Sequence, residues 1–287
     1  MTITIYHTMK KPLILLSFAA AALPALAQTS AYTPAPGQLV VSPAYAYQNF
    51  EDFWMGRNDA SLKPDDVTQH TGVIAFDFGI TDRLAADVQV GYSRTESKAF
   101  GGSNSDDGMT DSLIGLRYKL IDETKVNCRW SPTFTLRVGA IIEGTYDAGL
   151  PFSAGDGGSG FETSLQFGKS IGSTGLALYG DIGYRNRNQT VPDDIFGSLG
   201  LSYTFAQAIT LSGGYRHIQS LSGTDIGAPG FTFPSLREIN QLAEVSLSYT
   251  DKGGRTYALF GAFSLDGRNS GDKTIFGATI SIPIQLR

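Results

Sequence analysis

Cysteine, histidine and charge are all scarce in this chain. The single cysteine, Cys128, cannot close an internal disulfide, and a lone thiol makes no metal centre, so it reads as an incidental turn residue. No His/Cys/carboxylate cluster has metal-ligand spacing. Charged residues make up 17% of the sequence, below the roughly 25% usual in soluble domains. The net charge of -5 and pI near 5.2 leave no basic footprint for nucleic acid. Beyond the N-terminal leader no stretch is apolar enough for a membrane helix, and no 3.6-residue period is sustained. The three histidines limit catalysis too. Hydrolases with an activated nucleophile set a His beside Ser or Asp. His7 falls in the leader; His70 starts one predicted strand and His217 ends another, and neither has a Ser two residues on. Both read as interfacial polar residues. Gly155 to Gly160 lacks the Lys-Ser/Thr ending and following helix of a phosphate loop, and reads as a flexible surface loop. No catalytic residue, cofactor or metal is expected.

What the chain has in quantity is glycine, 34 residues, and strict alternation. From Leu84 to Arg94, Leu84, Ala86, Val88, Val90 and Tyr92 are apolar, and the residues between them are small or polar. A strand puts successive side chains on opposite faces, so this segment has one apolar and one hydrophilic face. The pattern recurs from about Gln38 to the last residues as about twelve strands of about 9–12 residues, the length a tilted strand needs to cross hydrocarbon. Ile74, Phe76 and Phe78, then Ile114, Leu116 and Tyr118, then Leu136, Val138 and Ala140 repeat it; so do Val245, Leu247 and Tyr249. The fold class expected is all-β, a transmembrane antiparallel up-and-down barrel over residues 38–287 with both termini periplasmic.

The N-terminus carries an export signal. Lys10 and Lys11 supply the positive region, Leu13 to Leu23 the apolar region, and Ala25-Leu26-Ala27 a small-x-small cleavage site. Residues 1–27 therefore read as a signal peptide, with Met9 an alternative start because Met1 to Thr8 add nothing to the pattern. Residues 28–37 read as a short periplasmic segment. No Cys follows the cleavage site, which argues against a lipoprotein anchor.

Two further signals agree. Short turns at Thr81-Asp82-Arg83, Gly172-Ser173-Thr174, Phe205 to Ala208 and Asp251 to Gly254 alternate with longer polar links, as periplasmic turns alternate with extracellular loops. The link from Asp122 to Ser131 is long for such a turn. Tyr118, Tyr203, Tyr249 and Tyr257 fall near one end of the apolar face and Tyr92, Tyr184 and Tyr215 near the other, forming the two aromatic girdles of a barrel.

On the inward face the alternation places Arg117, Arg137, Glu143, Glu162, Gln166, Asp181, Arg185, Arg187, Arg216, Glu238, Asn240, Glu244 and Asp266. Two readings stand: a water-filled passage whose charges select small solutes, or a salt-bridged network that fills the lumen. Arg117 and Arg137 fall on adjacent strands, as do Glu143 and Glu162, which predicts separate positive and negative zones.

Four segments carry a family resemblance: Lys10 to Ala27, Phe78 to Leu84, Asp111 to Tyr118, and Gly183-Tyr184-Arg185. They resemble Gram-negative outer-membrane β-barrels, and in particular the transporter-type family associated with the meta-pathway of phenol degradation. The resemblance implies passive uptake of small solutes, including small aromatic or other hydrophobic compounds, with no catalytic residues. It also implies outer-membrane lipid, lipopolysaccharide and the barrel-assembly machinery as partners. The last strand is similar to the signal read by that machinery through Gly277, Ile280 and Ile282, although the chain ends Gln285-Leu286-Arg287 without the usual terminal aromatic. The alternative functional class is a structural or surface-interaction barrel with a plugged lumen; a barrel-embedded hydrolase comes third.

Overall fold

The computed structural model describes residues 30–62, 65–98, 104–150 and 153–286. The leader expected over Met1 to Ala27 lies outside them. Fifteen strands follow in order: β1 Gln38–Phe50, β2 Asp52–Met55, β3 Asn58–Ser61, β4 Val67–Gly79, β5 Leu84–Ser97, β6 Asn104–Met109, β7 Ser112–Ile121 and β8 Thr133–Ile142. Then come β9 Gly160–Ser170, β10 Leu176–Arg187, β11 Asp194–Phe205, β12 Ile209–Ser220, β13 Ile239–Thr250, β14 Thr256–Arg268 and β15 Thr274–Gln285. Every neighbouring pair is antiparallel. β1 bonds to β15 on one side and β4 on the other, and β4 bonds to β5, so the wall closes on itself. Twelve strands, β1, β4, β5 and β7 to β15, form this closed barrel, which leaves no unpaired edge. The remaining three decorate the long-loop end. β6 continues the wall above β7 by pairing with the far half of β5, and the β2–β3 hairpin is tied to the wall by Trp54 N–H donating to the Ser270 carbonyl at 2.8 Å.

The alternation sorts side chains as the period of two demands. Ile182, Leu259, Leu199, Leu201 and Leu116 stand on the outside, more than half exposed, while Asp87, Gln89, Arg117, Arg137 and Gln166 are buried inside. A surface this apolar around an interior this polar inverts the arrangement of a soluble protein and suits lipid outside. Asp266 departs from its expected inward position. The β13–β14 register slips between Gln241 and Leu242, so Gln241 pairs with Asp266 while Leu242 pairs with Ser264. The extra residue reverses the alternation, and Asp266 is exposed on the outer face, accepting from Gln241 Nε2 at 3.3 Å.

Glycine supplies room as well as turns. A Cβ on Gly183 would lie 2.3 Å from the Phe196 ring, one on Gly277 2.2 Å from the Phe260 ring, and one on Gly200 2.4 Å from the Tyr179 ring. In each case an inward aromatic lies across a glycine of the next strand, so large rings fit inside a narrow barrel.

Candidate solute pathway

The charged layer is built from one half of the wall. Asp77 on β4, Asp87 on β5, Arg117 on β7, Arg137 on β8, Glu162 on β9 and Arg185 on β10 all occupy inward positions of successive strands. Arg117 meets Asp77 and lies 3.7 Å from Asp87. Arg137 grips Asp87 through Nε at 3.1 Å and Nη2 at 2.7 Å, and meets Glu162 through Nη1. Glu162 also accepts from Arg185 at 3.3 Å, and Arg185 approaches Asp194 of β11 at 3.6 Å. The predicted separation into positive and negative zones is therefore wrong. Arg117 and Arg137 are directly opposite in register, but Asp87 interleaves with them, because two buried guanidiniums without a shared anion would repel in a low dielectric.

Arg216 forms a second centre on β12, with Nε donating to Glu244 of β13 at 2.7 Å. Its Nη2 has no protein partner among the described residues. Asp181 on β10 accepts from Ser198. Arg187, at the long-loop end of β10, pairs with Asp156 at 2.8 Å and lies 3.6 Å from Asp111. Glu143 lies one residue beyond β8 and accepts from Gln189 at 2.9 Å, so it belongs to the loop rim and not to the lumen wall. Glu162, which the sequence paired with it, stands opposite Gly139.

The Gly155 to Gly160 segment is not a surface loop. It folds into the mouth, where Gly157 N–H donates to the Tyr146 hydroxyl at 2.8 Å and that hydroxyl donates to Asp111 at 2.5 Å. Burial raises the Tyr146 hydroxyl above the usual phenol range, and Asp111 adds to the rise. Behind this fold lie two cavities of about 140 and 190 Å³ that share Gln48, Gln69, Ser153, Asp156, Ile218, Glu238 and Lys273 in their linings. The larger reaches Asp181, Arg185, Arg187 and Arg216 on its charged side and Val73, Phe196, Leu242 and Ile275 on its apolar side. The Arg185 guanidinium sits 5.2 Å from the Phe196 ring centre.

The opposite, short-turn end is crossed by residues 30–36. The carbonyl of Ser30 accepts from Arg117 Nη1 at 3.1 Å and that of Ala31 from Thr135 Oγ1 at 2.6 Å. The Tyr32 hydroxyl donates to Glu123 at 2.7 Å, and Lys169 holds Glu123 at 2.9 Å. The long link after Asp122 thus has a structural reason: it carries Glu123 back over β9 to meet Tyr32 and Lys169.

The seven tyrosines lie on the outer face in two bands. Tyr118 pairs with Leu84, Tyr203 with Leu176, and Tyr249 with Tyr257, all next to short turns. Tyr92, Tyr184 and Tyr215 stand toward the long-loop end, where Tyr184 donates to Asp193 at 2.5 Å and Tyr215 to Gln241 at 2.9 Å. Tyr45, which the alternation of Leu39, Val41, Pro43 and Tyr45 puts on the outer face, joins this band although the girdle expected from the sequence omits it, and bonds His70 at 2.6 Å. Sequence reasoning passed over Asp77, Asp111 and Asp194. Asp77 was readable, since Phe76 and Phe78 already point outward; Asp111 and Asp194 sit at strand ends, where alternation gives no direction.

No family model and no curated protein matches the chain. Among solved structures, an outer membrane channel from Pseudomonas putida F1 matches 88% of this chain and 97% of its own, with a TM-score of 0.68 and 14% identity. The translocator domain of the autotransporter NalP from Neisseria meningitidis gives a TM-score of 0.48 at 11% identity, covering 87% of this chain and 89% of that one. A mutant of the TodX monoaromatic hydrocarbon channel gives 0.47 at 11% identity, covering 89% and 92%. The last two are too distant to carry an argument. The first is a likeness of fold, and it identifies the architecture as the closed barrel found in outer-membrane channels.

Proposed function

We propose that this chain is an outer-membrane channel through which small solutes pass passively. One observation carries the reading: a closed wall with an apolar exterior encloses two connected cavities lined by guanidiniums, carboxylates and a few apolar side chains. At about 190 Å³ the larger cavity is small, which supports a pathway for compact molecules. The apolar side, Val73, Phe196, Leu242 and Ile275, supports a solute with a small hydrophobic or aromatic body, in line with the resemblance to the phenol meta-pathway barrels. In this reading the short turns and both termini face the periplasm, the two tyrosine bands sit at the two lipid interfaces, and a cleaved leader exports the chain. Lipid, lipopolysaccharide at the long-loop rim and the barrel-assembly machinery are its partners. The enclosed acids Asp77, Asp87, Asp111, Asp156, Glu162, Asp181, Asp194, Glu238 and Glu244 outnumber Arg117, Arg137, Arg185, Arg187, Arg216 and Lys273, which favours neutral or cationic solutes over anions.

The competing reading, a sealed barrel that acts through its long loops, draws on the segment across the short-turn end. Recordings from purified protein in a planar bilayer separate the two. Discrete conductance steps, altered by Arg185→Ala, support the channel; a barrel that stays silent at all voltages overturns it.

A further inference from the structure

Residues 30–36 cross the lumen almost from wall to wall. The chain leaves β1 at Gly37, whose φ of 73° turns the backbone inward. It passes Gly79 of β4, where a Cβ would lie 2.2 Å from the Ala35 carbonyl, and reaches Gly168 of β9, where a Cβ would lie 2.8 Å from the Tyr32 ring. Five steps around a ring of twelve strands separate β1 from β9, so the segment nearly spans the diameter. Glycine at both landing points leaves the space it occupies. Ala31 and Thr33 are buried there.

The way it is held differs from the way the wall is held. Gly37 N–H still bonds the Gly79 carbonyl at 2.8 Å, but beyond that point the segment joins no strand ladder. Its anchors are side chains: at the far end Arg117 on the Ser30 and Tyr32 carbonyls, Thr135 on the Ala31 carbonyl and Glu123 on the Tyr32 hydroxyl, and beside Gly37 the Gln38 side chain on Ala35 N–H and Gln285 on the Pro36 carbonyl. Arg117 keeps its carboxylate partners Asp77 and Asp87 whether or not the segment is present. A strap tied by a handful of side-chain hydrogen bonds, each worth about 1 kcal/mol net, opens more easily than a laddered strand.

We infer that this strap is the gate of the pathway: it closes the periplasmic end in the conformation seen and swings out about Gly37 to let solute through. The inference rests on the channel reading of the preceding section. Removing residues 30–36 tests it without touching any strand, and native-like, heat-sensitive migration on gels confirms the barrel has formed. A second variant, Tyr32→Ala with Thr135→Val, keeps the strap and strips its Glu123 and Thr135 anchors. In planar bilayers the full chain should be closed for most of the record, the shortened chain open at least tenfold longer, and the double variant between them. Equal open times in all three overturn the gate and leave the channel standing. Silence from all three, including the barrel without its strap, overturns the channel and the gate together.

Discussion

Arg117 and Arg137 face each other across the β7–β8 ladder, and the Asp87 carboxylate of the neighbouring strand lies 3.7 Å from the first and 2.7 Å from the second. One anion thus serves two guanidiniums that are each about 1% exposed. Replacing Asp87 by Ala removes the anion the two share and leaves Arg117 with Asp77 and Arg137 with Glu162 alone. Removing one partner from a buried pair costs about 3–5 kcal/mol. Asp87→Ala should therefore destabilise the vesicle-inserted protein by up to that amount, read as a lowered urea midpoint, whereas Asp87→Asn, which keeps a hydrogen-bond acceptor, should cost less. A midpoint unchanged in Asp87→Ala would mean that water already screens the layer.

The barrel was legible in the sequence because its cause is local. The alternation of Leu84 to Tyr92 reports directly which side chains meet lipid, and the same arithmetic placed Arg137, Glu162 and Arg216 inside. What escaped depends on contacts between distant segments. The register slip that turned Asp266 outward arises where Gln241 and Leu242 change partners, which no single strand records. The interleaving of Asp87 between two arginines belongs to three strands at once. The strap lies in a stretch, Ser30 to Pro36, with no period at all, and its far-end anchors Arg117, Glu123 and Thr135 are about 85 to 105 positions away.

Gly183 and Phe196 form a lock between β10 and β11. A valine at 183 would bring its Cβ within 2.3 Å of the Phe196 ring and 2.7 Å of the Thr163 carbonyl. Overpacking of this kind costs about 1–3 kcal/mol. The displaced ring also supports the Arg185 guanidinium and lines the larger cavity, so Gly183→Val should reduce single-channel conductance along with stability. Gly213 provides the control. A Cβ there meets nothing closer than 3.8 Å, on the outward-facing row of β12, and Gly213→Val should leave both measurements unchanged.

Cys128, exposed in the link between β7 and β8, reports the orientation of the barrel. That link lies at the same end as the short turns and the strap. In intact cells a membrane-impermeant maleimide should leave Cys128 unlabelled, and permeabilising the outer membrane should expose it fully. Labelling of intact cells at the permeabilised rate would put this end outside and reverse the proposed topology.

Glu238 stands just before β13 in the long-loop mouth and lines both cavities. Burial pushes its carboxyl up to about 7; Asp156 and, more weakly, Asp194 add to the rise, while Lys273 and the Asn240 amide oppose it. The direction of the consequence follows from the charge. Above about pH 7 Glu238 is a carboxylate and the mouth attracts cations; below it the proton neutralises the group and leaves Lys273 less opposed. Across a water-filled mouth, one unit charge at about 4 Å is worth about 1 kcal/mol, roughly a fivefold change in an equilibrium. The cation-to-anion permeability ratio, read from reversal potentials in a KCl gradient, should therefore fall severalfold between pH 8 and pH 6. Glu238→Gln should hold the ratio near its pH 6 value at both pH values. If the variant titrates like the parent, another group sets the pH dependence and Glu238 does not control the mouth.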